Sequence, residues 1–472
     1  MNTSTKSVLK NINYTVTANF IVMGISILLN LIVPRYLGVN EYSYWQLYVF
    51  YSGYVGFFHL GWIDGIYLKI GGEKYSNLNK RDLGTQFWYL LIFQSVLALF
   101  IIFFLLINNL PINRFLILSF TSFMLVITNC RTFILFILQS TNRIKEYAQL
   151  SRNDRYIYIV IICIYLVNGG RNFVFLILID VLSKLFLVLW AVYRIRDLIF
   201  VKWNPVKDTL ESILNNIRIG INLMVGNIAS MLIMGITRLL VERQWSIEVF
   251  GRLSLTISIS NMFMTFINAI GVVMYPLLRR TDEKSLKKLY IGLRSLFVPL
   301  TYGILLTFIP LKYLLGAWLP QYTQSLVFMG ILFPMIVYEG RMALLVSTYL
   351  KTIRREKIIL IVNIITLVIS LILSVITIYG LNSIYLTVVG IMLSLSLRCI
   401  LAETLLLKTL EIKLKFKITV ETLLTIIFVI VNMYANPAMS FIIYLISYII
   451  FILLNAKSIR KSLNEVLVLI RK

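Results

Sequence analysis

The feature that most constrains this chain is an apolar stretch of bilayer-crossing length that recurs from one end to the other. A helix rises about 1.5 Å per residue, so roughly 20 apolar residues cross the roughly 30 Å hydrocarbon layer. Such stretches lie near residues 11 to 34, 42 to 66, 86 to 108, 113 to 139, 154 to 170, 172 to 193 and 217 to 241. A second set lies near 247 to 278, 290 to 314, 323 to 350, 357 to 379, 381 to 407, 417 to 434 and 438 to 455. Hydrocarbon offers backbone groups no water, so apolar runs of this length must be helical. The expected fold is an all-α polytopic membrane protein with about fourteen transmembrane helices. The largest segment between spans, 194 to 216, is too short to fold as a domain.

Composition excludes the soluble alternatives. Hydrophobic residues make up 59% of the 472, charged residues 14%, and the mean hydropathy is +0.87. A net charge of +25 would point a soluble domain toward nucleic acid, but here the bases sit in short clusters between apolar stretches. No nucleic-acid partner is expected. Most of the 45 Lys and Arg fall in alternate segments, which places those segments and both termini in the cytoplasm. The opposite loops hold only Arg35, Arg114, Arg171, Arg243, Arg252 and Lys312. Cys130, Cys163 and Cys399 fall in separate stretches, which argues against disulfides and CxxC metal chemistry, and no metal site is expected. Lys6 and Lys10 precede an apolar run with no A-x-A cleavage site, so that run is expected to stay as the first span.

The stretch IRIGINLMVGNIASMLIMGITRLLVERQWSIEVFGR, residues 217 to 252, lies at the middle of the chain and carries Asn222, Ser230 and Thr237 loosely on one side. It divides the chain into an N-terminal lobe, 1 to 216, a C-terminal lobe, 217 to 455, and a tail, 456 to 472. Two pseudo-symmetric lobes are expected. The first helix has its own polar stripe, Thr15, Asn19, Ser26 and Asn30, and the loops that follow match loosely as Glu41-Tyr42-Ser43 and Glu248-Val249-Phe250-Gly251. The tail reads as a basic amphipathic helix for the anionic inner leaflet.

Ionisable groups inside spans are costly and usually meet a partner or a hydrated cavity. Five cations lie there: Arg131, Lys184, Arg238, Arg341 and Arg398. Counted from their cytoplasmic flanks, Arg131, Lys184, Arg341 and Arg398 sit about 15 to 18 Å deep, near the midplane. Lys184 has Asp180 one turn earlier and Arg238 has Glu242 one turn later, spacings that permit in-helix pairs. Arg131 has no such acid, and Glu339 and Glu403 lie on other faces than Arg341 and Arg398. These cations are candidates for binding an anionic headgroup, because the guanidinium fork donates two parallel hydrogen bonds to phosphate or carboxylate. Asp64, Asp180, Glu242, Glu339 and Glu403 are the candidates for coupling or gating. Tyr44, Tyr48 and Tyr51 fall near one face of the second span with Phe58 and Trp62, a pattern that suits sugar stacking or helix packing. His59, the only histidine, can take a proton near neutral pH or serve as a polar packing residue.

The segments PRYLGVNEYSYWQLYVFYSGYVGFFHLGWIDG, ITRLLVERQWSIEVFGRLSLTISI with the following VVMYPLLRR, and LLVSTYLKTIRREK are similar to those of polysaccharide-unit (Wzx-type) flippases. That family belongs to the multidrug/oligosaccharidyl-lipid/polysaccharide exporter (MOP) superfamily. Such flippases often carry an Asp before the midpoint Arg, whereas Thr237 precedes Arg238 here, which leaves Glu242 as its partner. The resemblance implies two lobes around a central cationic cavity that opens alternately to each side of the bacterial cytoplasmic membrane. It implies an undecaprenyl-pyrophosphate-linked oligosaccharide as substrate, for O-antigen, capsule or other surface polysaccharide. Membrane lipids, a polysaccharide polymerase and a chain-length regulator would be its partners, with an H⁺ or Na⁺ gradient as the driving force and no other cofactor.

Two alternatives compete. A drug extruder of the same superfamily would export cations and need acids in its amino-terminal cavity, yet residues 11 to 34 contain none. A membrane-embedded polymerase or ligase would present a sizeable outer loop, whereas this chain has one His, short outer loops and no DxD motif. No catalytic residue is expected.

Overall fold

The computed structural model describes residues 21, 24–279, 283–412 and 415–470. Within them the fold is all-α, with no strand. Among the described residues, nine helices are long and apolar enough to cross a membrane, or ten if a pair bent by 49° counts as one span. Thr15, Asn19 and both chain ends lie outside the described residues, as do the side chains of 463–470 on which the reading of the tail depends.

Contacts divide the chain into two units, 1–228 and 229–472, with the boundary inside one long helix, α9 (Val206–Gln244). The first unit holds α1 (Gly24–Leu37), α2 (Val39–Ser52), α3 (Trp62–Lys69), α4 (Lys80–Ile107), α5 (Ile112–Ser140), α6 (Ile144–Val167), α7 (Phe173–Arg194), α8 (Arg196–Ile199) and the start of α9. Its core is α5, packed between α4 and α7, with α6 against α7.

The expected span 42 to 66 is not one helix. It breaks into α2, a 3₁₀ turn at Val55–His59, and α3, because Leu60 and Gly61 take left-handed backbone angles, φ 56° and 82°. A break in hydrocarbon exposes carbonyls that need donors. Asn129 of α5 donates to the Val55 carbonyl at 3.0 Å, and Gln94 of α4 donates to the Phe58 carbonyl at 3.1 Å. Glycine is required where α9 crosses: a Cβ on Gly65 would lie 1.8 Å from the Asn216 carbonyl oxygen, and one on Gly220 would lie 2.1 Å from that of Gly61. Only bare backbone approaches this closely.

The second unit holds α10 (Ile247–Arg279), α11 (Glu283–Ile304), α12 (Phe308–Trp318), α13 (Thr323–Leu332), α14 (Met335–Arg341), α15 (Thr348–Thr352), α16 (Glu356–Val375), α17 (Ile384–Thr409), α18 (Lys415–Tyr434) and α19 (Pro437–Ile470). The expected span 323 to 350 is bent at Pro334, which has no N–H to continue α13. It then loosens into a π-helical segment, Met342–Ser347, where the Thr348 hydroxyl bonds the Ala343 carbonyl at 2.9 Å. Such π segments recur at functional sites.

Candidate functional site

In the second unit the sequence-selected charges sort into two arrangements. The first is closed. Arg341 donates through Nη1 to Glu403 Oε2 at 3.0 Å and to Glu421 Oε2 at 2.7 Å. Arg294 of α11 donates to the same two acids, to Glu403 Oε1 at 2.7 Å and to Glu421 Oε1 and Oε2 at 2.8 Å each, sharing Glu421 Oε2 with Arg341. Tyr290 adds a bond to Glu403 Oε1 at 2.9 Å. Two guanidinium groups meet two carboxylates, and no member exposes more than 4% of its side chain. This differs from the expectation that Arg341 faces a ligand and Glu403 a gate. Three other helices, α11, α17 and α18, bring acids and a second cation to Arg341, which neutralises it within the fold.

The second arrangement is open. Arg398 of α17 donates through Nη1 to Glu339 of α14 at 2.9 Å, through Nε to Asn363 of α16 at 2.9 Å and through Nη2 to Ser230 of α9 at 2.6 Å. Glu339 keeps 20% of its side chain exposed. Arg398, Glu339 and Ser230 line a cavity of about 760 Å³ together with Lys351, Asn261, Asn268, Ser347 and Thr348, while Met234, Met264 and Met342 supply adaptable apolar wall. Arg341 is not among its lining residues. Glu339 and Arg341 lie two residues apart on the short α14, so they point to different sides: one toward the cavity, the other into the closed cluster. Arg238 donates to the Ser254 hydroxyl at 2.9 Å and lies 5.2 Å over the Phe250 ring, and Glu242 is buried.

The first unit gathers a second set of charges. Lys184 and Asp180 form their i,i+4 pair at 2.6 Å, and the Tyr48 hydroxyl donates to Asp180 Oδ2 at 2.8 Å. Arg131 meets Asp154 of α6 at 3.3 Å and donates to the Leu150 carbonyl at 2.9 Å. Arg155 lies in the field of both Asp154 and Asp180. Tyr48 is 1% exposed, so it offers no face to a sugar. Tyr44 stacks on Phe173 at 5.1 Å and Tyr51 packs on Phe50 at 5.4 Å, so of the two readings their spacing allows, helix packing is the one these contacts fit. Helical periodicity placed them on one side but carries no information on what that side meets. His59 Nδ1 accepts from the Gly61 N–H at 3.1 Å, and its Nε2 lies 3.7 Å from Asp64 in the broken second span. Just past the end of α7, Asp197 holds Lys80 at 2.6 Å and the Tyr75 hydroxyl at 3.0 Å. Partial burial works to raise the Asp197 carboxyl, but those two hydrogen bonds outweigh it and hold the group below its usual value.

Arg294, Glu421, Asp154, Arg155, Lys351 and Asn363 were not singled out by sequence. Arg294, Glu421 and Arg155 fall within a few residues of their spans' ends and read as flanking charge, although the first two close the cluster around Arg341. Among the described residues, no group of three or more His, Cys, Asp or Glu is placed to hold a metal ion.

A comparison with family models finds no match, and a comparison with curated proteins finds none either. Solved structures do match in fold. A multidrug resistance MATE family transporter of the MOP superfamily aligns over 85% of this chain and 99% of its own, at 14% identity and a TM-score of 0.59. The lipid II flippase MurJ aligns over 92% of this chain and 97% of its own, at 13% identity and a TM-score of 0.58. A second MATE structure aligns over 86% and 96%, at 13% identity and 0.54. The chain has the fold shared by these membrane transporters and flippases.

Proposed function

We propose that this chain is a flippase that moves undecaprenyl-pyrophosphate-linked oligosaccharide units across the bacterial cytoplasmic membrane for surface polysaccharide assembly. The observation that carries this reading is the cavity of the second unit, where Arg398 and Lys351 accompany amides and hydroxyls in about 760 Å³. A pyrophosphate loses its hydration on entering hydrocarbon, and a guanidinium with an ammonium nearby replaces it. Asn261, Asn268, Ser347 and Thr348 suit the hydroxyl groups of sugars. The fold shared with a lipid II flippase agrees with a lipid-linked substrate. Glu339 is the counter-ion of Arg398, so an entering phosphate competes with it.

The test is deletion of the gene in its own host, with surface polysaccharide and inner-leaflet lipid-linked units both measured. Loss of polymer with accumulation of complete units supports the flippase, and complementation with Arg398→Ala should fail to restore polymer. Truncated units would assign the chain to synthesis. Unchanged polysaccharide with new drug sensitivity would assign it to drug export, the activity named for its MATE fold neighbour.

A further inference from the structure

The wall of the second unit's cavity runs out to a strongly basic turn. Residues 351 to 357, KTIRREK, carry Lys351, Arg354, Arg355 and Lys357 against one acid, Glu356, and all of these charged side chains are exposed. Among the described residues none of the four cations has an ion-pair partner. Lys351 also lines the cavity that holds Arg398 and Glu339, so the exposed end of that cavity leads to the turn. The π segment makes this possible. At about 100° per residue, the step from Glu339 to Lys351 in a regular helix would set the two about 120° apart. Bonds in Met342–Ser347 reach one residue further, so each residue turns less, and Lys351 comes round to the wall that Glu339 shares. The backbone of the turn is a second observation. Arg354 lies in the left-handed region, φ 55°, where a helix end favours glycine or asparagine. The Ile353 N–H bonds the Tyr349 carbonyl at 2.9 Å and the Arg355 N–H bonds the Leu350 carbonyl at 2.8 Å. The first unit closes α5 with the same pattern, Thr141 to Ile137 at 3.1 Å and Arg143 to Leu138 at 2.8 Å, and its left-handed residue is Asn142, φ 60°. One closure uses a residue the backbone favours, the other a cation it disfavours, so the charge and not the turn accounts for arginine at 354.

We propose that Lys351, Arg354, Arg355 and Lys357 form a capture station for the pyrophosphate of a lipid-linked substrate, from which it passes to Arg398; the inference rests on the flippase reading above. An exposed, unpaired cation speeds encounter with an anion, whereas a buried, hydrogen-bonded one sets how long the anion stays. The two arrangements divide in this way. Lys351 is exposed, while Arg398 has 8% of its side chain exposed and holds Asn363, Glu339 and Ser230 with its donors. Glu339, the partner of Arg398, lies up to about 18 Å from Lys351 along the helix, at about 1.5 Å per residue. Ser347 lies on the wall between them, and its hydroxyl can donate to a passing phosphate. The guanidinium forks of Arg354 and Arg355 suit the oxygens of a pyrophosphate.

The experiment measures association and dissociation of farnesyl pyrophosphate on the full chain immobilised in phosphatidylcholine nanodiscs, by surface plasmon resonance over a series of salt concentrations. Lys351→Gln and Arg354→Asn should each slow association several-fold, flatten its salt dependence and leave dissociation unchanged. Arg354→Lys should keep the wild-type rate, and Arg398→Ala should instead speed dissociation. Arg354→Asn should also melt at or above the wild-type temperature, since asparagine suits the turn, which separates loss of capture from loss of folding. Wild-type association rates in both Lys351→Gln and Arg354→Asn would overturn the capture station, while the binding itself would keep the flippase reading. Absence of binding to wild type would overturn that reading and the station with it. If phosphatidylglycerol in the discs raises the melting midpoint of wild type but not of Arg354→Asn, and association of the probe is the same in both, the turn belongs to the membrane's own headgroups and the proposal fails.

Discussion

Arg341→Ala and Arg398→Ala remove the same side chain from the same unit, and the geometry predicts opposite kinds of damage. Arg341 is 1% exposed and holds two carboxylates that are 0% and 3% exposed. Its loss leaves Arg294 alone against Glu403 and Glu421, a buried net charge of about −1 where breaking such a pair costs about 3–5 kcal/mol. At about 1.4 kcal/mol per tenfold, the folded population falls more than about a hundredfold relative to the unfolded. Arg398→Ala leaves Glu339 at a cavity wall with 20% of its side chain exposed, so water reaches the orphaned acid and the cost falls to about 1–3 kcal/mol, that of hydrogen bonds to a charged group. The assay is fluorescence-detected size exclusion after a heating series, alongside polysaccharide restored to a deletion strain. Arg341→Ala should lose monodisperse protein and, through that, polymer; Arg398→Ala should keep the protein and lose polymer. A stable, monodisperse Arg341→Ala that exports nothing would refute the assignment of Arg341 to folding and return it to the transport path.

Glu339→Gln removes the acid that competes for Arg398, so pyrophosphate should bind the purified protein several-fold more tightly, as read by its stabilisation of the melting curve. Gly65→Ala sets a methyl 1.8 Å from the Asn216 carbonyl oxygen and should abolish accumulation of folded protein in the membrane, measured on a fluorescent fusion. Tyr48→Phe removes the 2.8 Å bond to Asp180 while Lys184 keeps its own, so the melting midpoint should fall by the equivalent of about 1–3 kcal/mol, the range for bonds to charged groups. Asp197 has a depressed carboxyl, so its contribution is complete above the unfolded aspartate value of about 4 and is lost as pH falls through the lower folded value. Limited proteolysis of the segment 195–205 should therefore accelerate in acid for wild type and be already fast at neutral pH for Asp197→Asn.

The helical class was legible because hydrocarbon length and apolar content are one-dimensional quantities, and so was the i,i+4 contact between Asp180 and Lys184. The breaks were not. Gly61 reads as one small residue in an apolar run, yet its role depends on α9 approaching from more than a hundred residues away, a contact that no local pattern records. Asn129 and Gln94 look like isolated polar residues in long helices until the carbonyls of Val55 and Phe58 need donors.

Depth along a helix, by contrast, was a poor guide to what a charge does. Arg341 and Arg398 each lie ten residues before a lysine, and that equivalence made them look alike. What separates them is the azimuth of their partners: α11, α17 and α18 close around Arg341, whereas α14, α16 and α9 leave Arg398 at a cavity wall. The two-residue step from Glu339 to Arg341 turns the helix by about 200°, at about 100° per residue, so one short helix serves both the packed core and the open site. Bounded by the Pro334 bend and the π segment at Met342, α14 is a seven-residue helix that Arg341 ties into the buried cluster on one side, while Glu339 meets Arg398 at the cavity wall on the other.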